Sequence, residues 1–184
     1  MFENKLEQDI IGLYSENLVN LFSINEIAKR LNKKYPYINK KVTQLINKGI
    51  LKKIVVGRSY LCSLNLENEK TILLLALCQI NKKNPESKDI RKYIIKNNLE
   101  LVIHSVVSYH GNLVFVVNGL RDRKAIMDNY PEAQIVHKSE FVDMLLETPA
   151  LFQNHLVLYG YERFFELIVS VKDELISKYS PIRY

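Results

Sequence analysis

The chain has 184 residues, 47% hydrophobic and 25% charged, enough for one large or two small globular domains and too apolar for disorder. Its longest apolar run, Ile72–Cys78, is far short of the roughly 20 residues of a membrane span. The start, Met1–Asp9, lacks the basic end and apolar core of a secretory signal, and Cys62 and Cys78 make no disulfide framework, so a cytoplasmic chain with reduced thiols is expected.

The net charge of +6 is unevenly placed: residues 1–66 hold 11 basic and 5 acidic side chains, residues 67–184 hold 15 of each. From Lys29 to Arg58 there are ten basic residues and no acid. A polyanion-binding module joined to a neutral domain is the expectation, with the boundary at 66/67.

In chain order, Leu6, Ile10, Leu13, Tyr14 and Leu18 follow a helical period and predict a helix over 6–19. Ser23 with Glu26 three residues on forms a capping box, opening a helix that runs to about Leu31. After the turn Asn32–Tyr35, Pro36 suits a first helical turn, and a third helix over 36–48 buries Ile38, Val42, Leu45 and Ile46. Gly49 ends it. Strands over 50–56 and 60–64 flank Gly57, Arg58 and Ser59, a hairpin with a basic tip.

The stretch 23–65, SINEIAKRLNKKYPYINKKVTQLINKGILKKIVVGRSYLCSLN, resembles the winged helix-turn-helix superfamily: three helices, a short turn before the third, then a β-hairpin wing. The resemblance implies DNA binding. With Ile38, Val42 and Leu45 inside, the third helix turns Tyr37, Lys40, Lys41, Gln44 and Lys48 outward, flanked by Asn39 and Thr43. Long donors and amides on one helical face suit a major groove. Lysines, including Lys33 and Lys34 of the turn, meet phosphates, whereas Asn39, Thr43 and Gln44 are placed to read bases. Arg58 and Ser59 at the tip would meet backbone or minor groove.

Beyond Asn68, an all-round apolar helix over 69–81 is expected to be covered by a second protomer, giving a homodimer. A further helix over 87–97 uses Ile90, Ile94 and Ile95. Strands over 101–109, 113–117 and 133–137 alternate with helices over 119–129 and 139–146, which predicts a small α/β domain in an α+β chain. The last helix, 161–178, carries the stripe Phe164, Ile168, Val171, Leu175.

Two segments, IHSVVSYHGNLVFVV (103–117) and SEFVDMLLETPALFQNHLVLYGYERFFELI (139–168), resemble small nucleotidyltransferase-fold domains found beside winged helices in archaea. That family has Gly-Ser after its first strand and two magnesium-binding aspartates on the second. Here Tyr109, His110 and Gly111 replace the Gly-Ser turn, and residues 112–117 contain no carboxylate. The resemblance therefore implies an inactive domain, without cofactor, that serves for dimerisation or senses a small-molecule or protein effector.

Other chemistry is not signalled. His104, His110, His137 and His155 lack compact ligand spacing with the cysteines, so no metal is expected. No phosphate-binding loop, dinucleotide fingerprint or nucleophile elbow occurs. The expectation is a DNA-binding transcriptional regulator and not an enzyme. Its rivals are a protein-interaction or antitoxin-type module and, third, an active nucleotidyltransferase.

Overall fold

The computed structural model describes residues 5–15, 17–57, 59–82, 84–119, 123–148 and 155–179. It is a mixed α/β protein with two separate sheets. The chain divides into two compact units, Met1–Cys78 with Lys172–Tyr184, and Gln79–Val171. The first unit thus reaches beyond the boundary read at 66/67 and takes back the C-terminal segment.

In the first unit, α1 is Lys5–Gly12, shorter than its hydrophobic period predicts. Glycine is a poor helix former, and beyond it the Ser15 hydroxyl donates to the Gly12 carbonyl at 2.9 Å. Asn17 then accepts the Val19 amide, a side-chain turn that re-aims the backbone. Tyr14 and Leu18 are buried all the same. Periodicity recorded which side chains go inside, not that one helix carries them.

Helix α2, Ile24–Arg30, opens on the expected capping box, with the Glu26 amide on Ser23 Oγ at 3.2 Å and the Ser23 amide on Glu26 Oε2 at 2.7 Å. These bonds hold the Glu26 carboxyl below its usual range. Asn32, at φ 51°, closes the helix in the left-handed region, and the Lys33 amide reaches back to the Ala28 carbonyl.

Helix α3, Tyr35–Asn47, has Pro36 in its first turn and buries Ile38, Val42 and Leu45, whereas Ile46 is only half-buried. Gly49 at φ 69° ends it as expected. Strands β1, Leu51–Val56, and β2, Ser59–Leu64, pair antiparallel with Val56 opposite Ser59.

The hairpin is fastened to the helices by Phe22, whose amide and carbonyl both pair with Cys62. The buried Tyr14 hydroxyl donates to the same Cys62 carbonyl at 3.0 Å. Burial raises the Cys62 thiol to about 11, so this cysteine is an inert packing residue.

Helix α4, Glu69–Asn81, buries Ile72, Leu74, Leu75, Ala76, Cys78 and Gln79 within a single chain. Its apolar composition therefore demands no second protomer. Only Leu73 and Ile80, two turns apart on one stripe, are more than half exposed among its large apolar residues.

The second unit holds α5 (Pro85–Lys96), β3 (Ile103–Tyr109), β4 (Asn112–Val117), α6 (Arg123–Asn129), β5 (Gln134–His137), α7 (Lys138–Glu147), β6 (Leu156–Tyr159) and α8 (Tyr161–Ser170). The sheet order is β5-β4-β3-β6, with β4 and β5 parallel and the other pairs antiparallel. Ile90 and Ile94 of α5 and Ile126 of α6 pack with Val106, Phe115, Val117 and Leu158 on one face. Alternation sends Val114 and Val116 to the other face, where α7 and α8 contact the strands with Phe141, Phe164 and Phe165 buried. Ile95, expected inside, is half exposed, because the α5 stripe that meets the sheet passes through Ile90 and Ile94.

The final helix is interrupted. Helix α8 stops at Ser170, whose hydroxyl donates to the Leu167 carbonyl at 2.6 Å, and Val171 lies at φ −120°, ψ 17°. Helix α9, Lys172–Tyr179, then belongs to the first unit. A β-branched stretch and a competing serine weaken helix continuity there.

His104 is buried on β3, and burial first, then Lys138 and Arg163, lower its imidazole to about 4. Its folded value lies below the unfolded value of about 6.5, so protonation favours unfolding. The stability at stake is complete above pH 6.5 and lost as pH falls towards 4, with a slope up to about 1.4 kcal/mol per pH unit. Urea midpoints at pH 7.5, 6 and 5 should fall more steeply for the native chain than for His104→Asn. Parallel declines would clear His104 of this role.

Candidate nucleic-acid interface

Burial of Ile38, Val42 and Leu45 fixes the rotation of α3 and decides which of its polar residues face water. Tyr37, Lys40, Thr43 and Asn47 are exposed, and Lys33 and Lys34 continue this surface into the preceding turn. Asn39 and Gln44 are half-buried, and the Gln44 amide oxygen is enclosed without a hydrogen-bond partner among the described residues. Its assignment as a base reader is weakened accordingly, since that end of the amide faces protein.

Two expected phosphate ligands are engaged elsewhere. Glu7 of α1 is 2% exposed, and its Oε1 lies 3.4 Å from both Lys41 Nζ and Lys48 Nζ. The Lys41 side chain is only 12% exposed. A carboxylate brought from outside the acid-free stretch thus absorbs part of the charge that composition assigned to the outer face. Lys41 and Lys48 position α3 against α1 and are not free ligands.

The hairpin adds groups that sequence reading missed. The Lys53 ammonium stands 4.2 Å above the Tyr60 ring, and Val55, directly opposite Tyr60 in the ladder, is exposed. Burial, then the neighbouring Cys62 and Tyr35, raise the Tyr60 hydroxyl. Exposed Tyr35 at the start of α3 is therefore within electrostatic reach of the hairpin. Strand alternation in residues 51–56 would have placed Lys53 and Val55 on one face. Nothing local announced the stacking on Tyr60. Ser59 is exposed at the tip, whereas Arg58 lies outside the described residues.

The result is a surface of ammonium groups, hydroxyls, amides and aromatic rings, with the Glu7 carboxylate buried behind it. Such a surface attracts phosphates and offers donors to base edges.

In the second unit, Glu86 and Glu132 line a cavity of about 260 Å³ beside the β3–β4 turn, with Asn112, Asn129 and Tyr130. Neither carboxylate belongs to β4. Among the described residues no three His, Cys, Asp or Glu side chains converge as a metal site requires. The turn itself has His110 at φ 48° and Gly111 at φ 81°, the backbone of a two-residue hairpin. His137 caps α7 through its ring nitrogen, and the His155 ring packs at a tilt of 46° with its centroid 4.8 Å from that of Phe164.

No protein-family model matches the chain, and no characterised protein or solved structure is significantly similar to it. Among the described residues no helix is long and apolar enough to cross a membrane.

Proposed function

We propose that the chain is a sequence-specific, DNA-binding transcriptional regulator acting in the cytoplasm. The first unit acts as a winged helix-turn-helix, with α3 in the major groove and the tip at 57–59 on the backbone or minor groove. The observation that carries this reading is the solvent-facing set Lys33, Lys34, Tyr37, Lys40 and Thr43 on one helix and its entry turn.

Lys33, Lys34 and Lys40 supply phosphate contacts, and Thr43 with Asn39 and Asn47 supplies base contacts. The second unit is read as a non-catalytic, nucleotidyltransferase-like platform, because β4 carries no carboxylate. Association as a homodimer rests on the exposed Leu73 and Ile80 of α4.

The test is binding of the purified chain to its own upstream DNA, followed by fluorescence anisotropy across a salt series. Lys40→Ala should weaken binding to every sequence alike and reduce the salt slope by about 0.9. Its thermal midpoint should not change, since the side chain is exposed. Salt-independent binding, or no binding to any DNA, sinks the regulator reading.

A second reading, a protein-interaction or antitoxin-type module, is favoured by exposed Tyr35, Val55 and Val56 beside the hairpin. It predicts a stable protein complex that survives a Lys40→Ala change. An active nucleotidyltransferase would require nucleotide transfer that depends on Glu86 and Glu132.

A further inference from the structure

A groove of about 350 Å³ lies in the first unit, behind the face of the hairpin that carries Lys52, Ile54 and Ser63. Its floor is aliphatic, with Leu18, Val19, Ile54 and Leu64. Leu18 and Val19 of this floor follow the turn that ends α1 early. Lys172 and Asp173, at the start of α9, line the groove together with Glu67.

The mouth holds two ammonium groups, those of Lys52 and Lys172, beside two carboxylates, those of Glu67 and Asp173. Lys52 Nζ lies 2.8 Å from Glu67 Oε2, and Lys172 Nζ lies 3.1 Å from Glu67 Oε1, so one carboxylate bridges two ammonium groups. Lys53 also lines the groove, but its ammonium is turned to the Tyr60 ring. Glu67 is 60% exposed, whereas the Lys172 side chain is 22% exposed. Both lysines hold the Glu67 carboxyl below its usual range, Lys52 first.

Exposed ion pairs contribute little, so a second carboxylate can replace Glu67 between the lysines at small cost. A volume of this size falls within the about 300–1,000 Å³ typical of small-molecule sites, whose walls are mainly apolar with a few placed polar groups. The two ammonium groups that flank Glu67 suit a carboxylate head group, and the floor suits an apolar body.

We infer that this groove binds a small amphipathic carboxylate, a short fatty acid or an acid of similar shape. Its head group takes the place of the Glu67 carboxylate between Lys52 and Lys172. Lys52 and Ile54 belong to the strand that leads to the hairpin tip, so the occupant touches the element proposed to contact DNA. The inference does not rest on DNA binding, because its test reads the ligand directly.

The full chain, labelled with nitrogen-15, is titrated below micellar concentrations with sodium octanoate, octan-1-ol and octylammonium chloride. Octanoate should shift the amides of Ile54, Leu64, Leu66 and Lys172 saturably, octanol should bind at least about threefold more weakly, and octylammonium should not saturate. Lys172→Gln should weaken octanoate at least about threefold and leave octanol unchanged, whereas Glu67→Gln, removing the internal competitor, should tighten octanoate by a similar factor. Ile54→Trp, with native circular dichroism, should abolish both. Unsaturated octanoate shifts, equal binding of octylammonium, or octanoate affinity indifferent to both Lys172→Gln and Glu67→Gln overturn the inference.

Discussion

Gly160→Ala should destabilise the second unit by about 2–5 kcal/mol. The glycine sits at φ 69° between β6 and α8, where a Cβ would stand 2.3 Å from the His104 carbonyl oxygen and 3.0 Å from the Ser105 Cα. Both obstacles are backbone, so no side-chain rotation relieves them. The left-handed conformation costs an L-residue roughly 1–2 kcal/mol, and forcing packed structure apart adds about 1–3 kcal/mol.

The close approach arises because β3 departs from regular pairing at both ends of this region. Its register shifts between Ile103 and Ser105 against β4, and between Val106 and Val107 against β6. Gly57→Ala is the control: its φ of 59° is also left-handed, but nothing lies within 4 Å of an added Cβ. Urea unfolding followed by near-ultraviolet circular dichroism should show a far larger loss for Gly160→Ala. Equal losses would mean that the backbones do not meet as described.

Glu7→Ala should cost the first unit about 3 kcal/mol, the lower end of the range for breaking a buried ion pair. The 3.4 Å separations and the 38% exposure of Lys48 place it there, and not higher. Lys41→Ala should also destabilise, since it leaves a carboxylate that is 2% exposed with one cation fewer. Lys40→Ala, one residue away and exposed, should change stability by less than about 0.5 kcal/mol.

Chemical unfolding of the three variants separates these outcomes. Equal midpoints for Lys40→Ala and Lys41→Ala would refute the positioning role. Under the proposed function, Glu7→Gln should also steepen the salt dependence of DNA binding, because the Lys41 ammonium loses its charged partner.

The adjacent lysines show where sequence reading reaches its limit. A helical wheel puts Lys40 and Lys41 on the same outward arc, and composition counts them alike. What divides them is Glu7, 34 residues away along the chain from Lys41. The bridge at Glu67 is more remote still, since Lys172 comes from 105 residues further on. No window of sequence holds both partners of such a contact.

Local signals were legible because their causes are local. Ser23 and Glu26 announced the start of α2, since a cap closes within one turn of backbone. Gly49 announced the end of α3, and the alternation around Gly57 announced the hairpin. The sequence determined by itself the order of the elements apart from β6 and the break in the final helix, most of the buried stripe on each helix, and the basic character of residues 29–58. Each depends on neighbours a few positions apart, through hydrogen-bond spacing and side-chain periodicity.

Only the tertiary structure decided which charges remain free, where the aliphatic groove opens, and that the chain after Val171 returns to the first unit. Those outcomes depend on which surfaces are pressed together. Burial there is shared between segments far apart in the chain, and a charge is neutralised by whichever group folding brings against it.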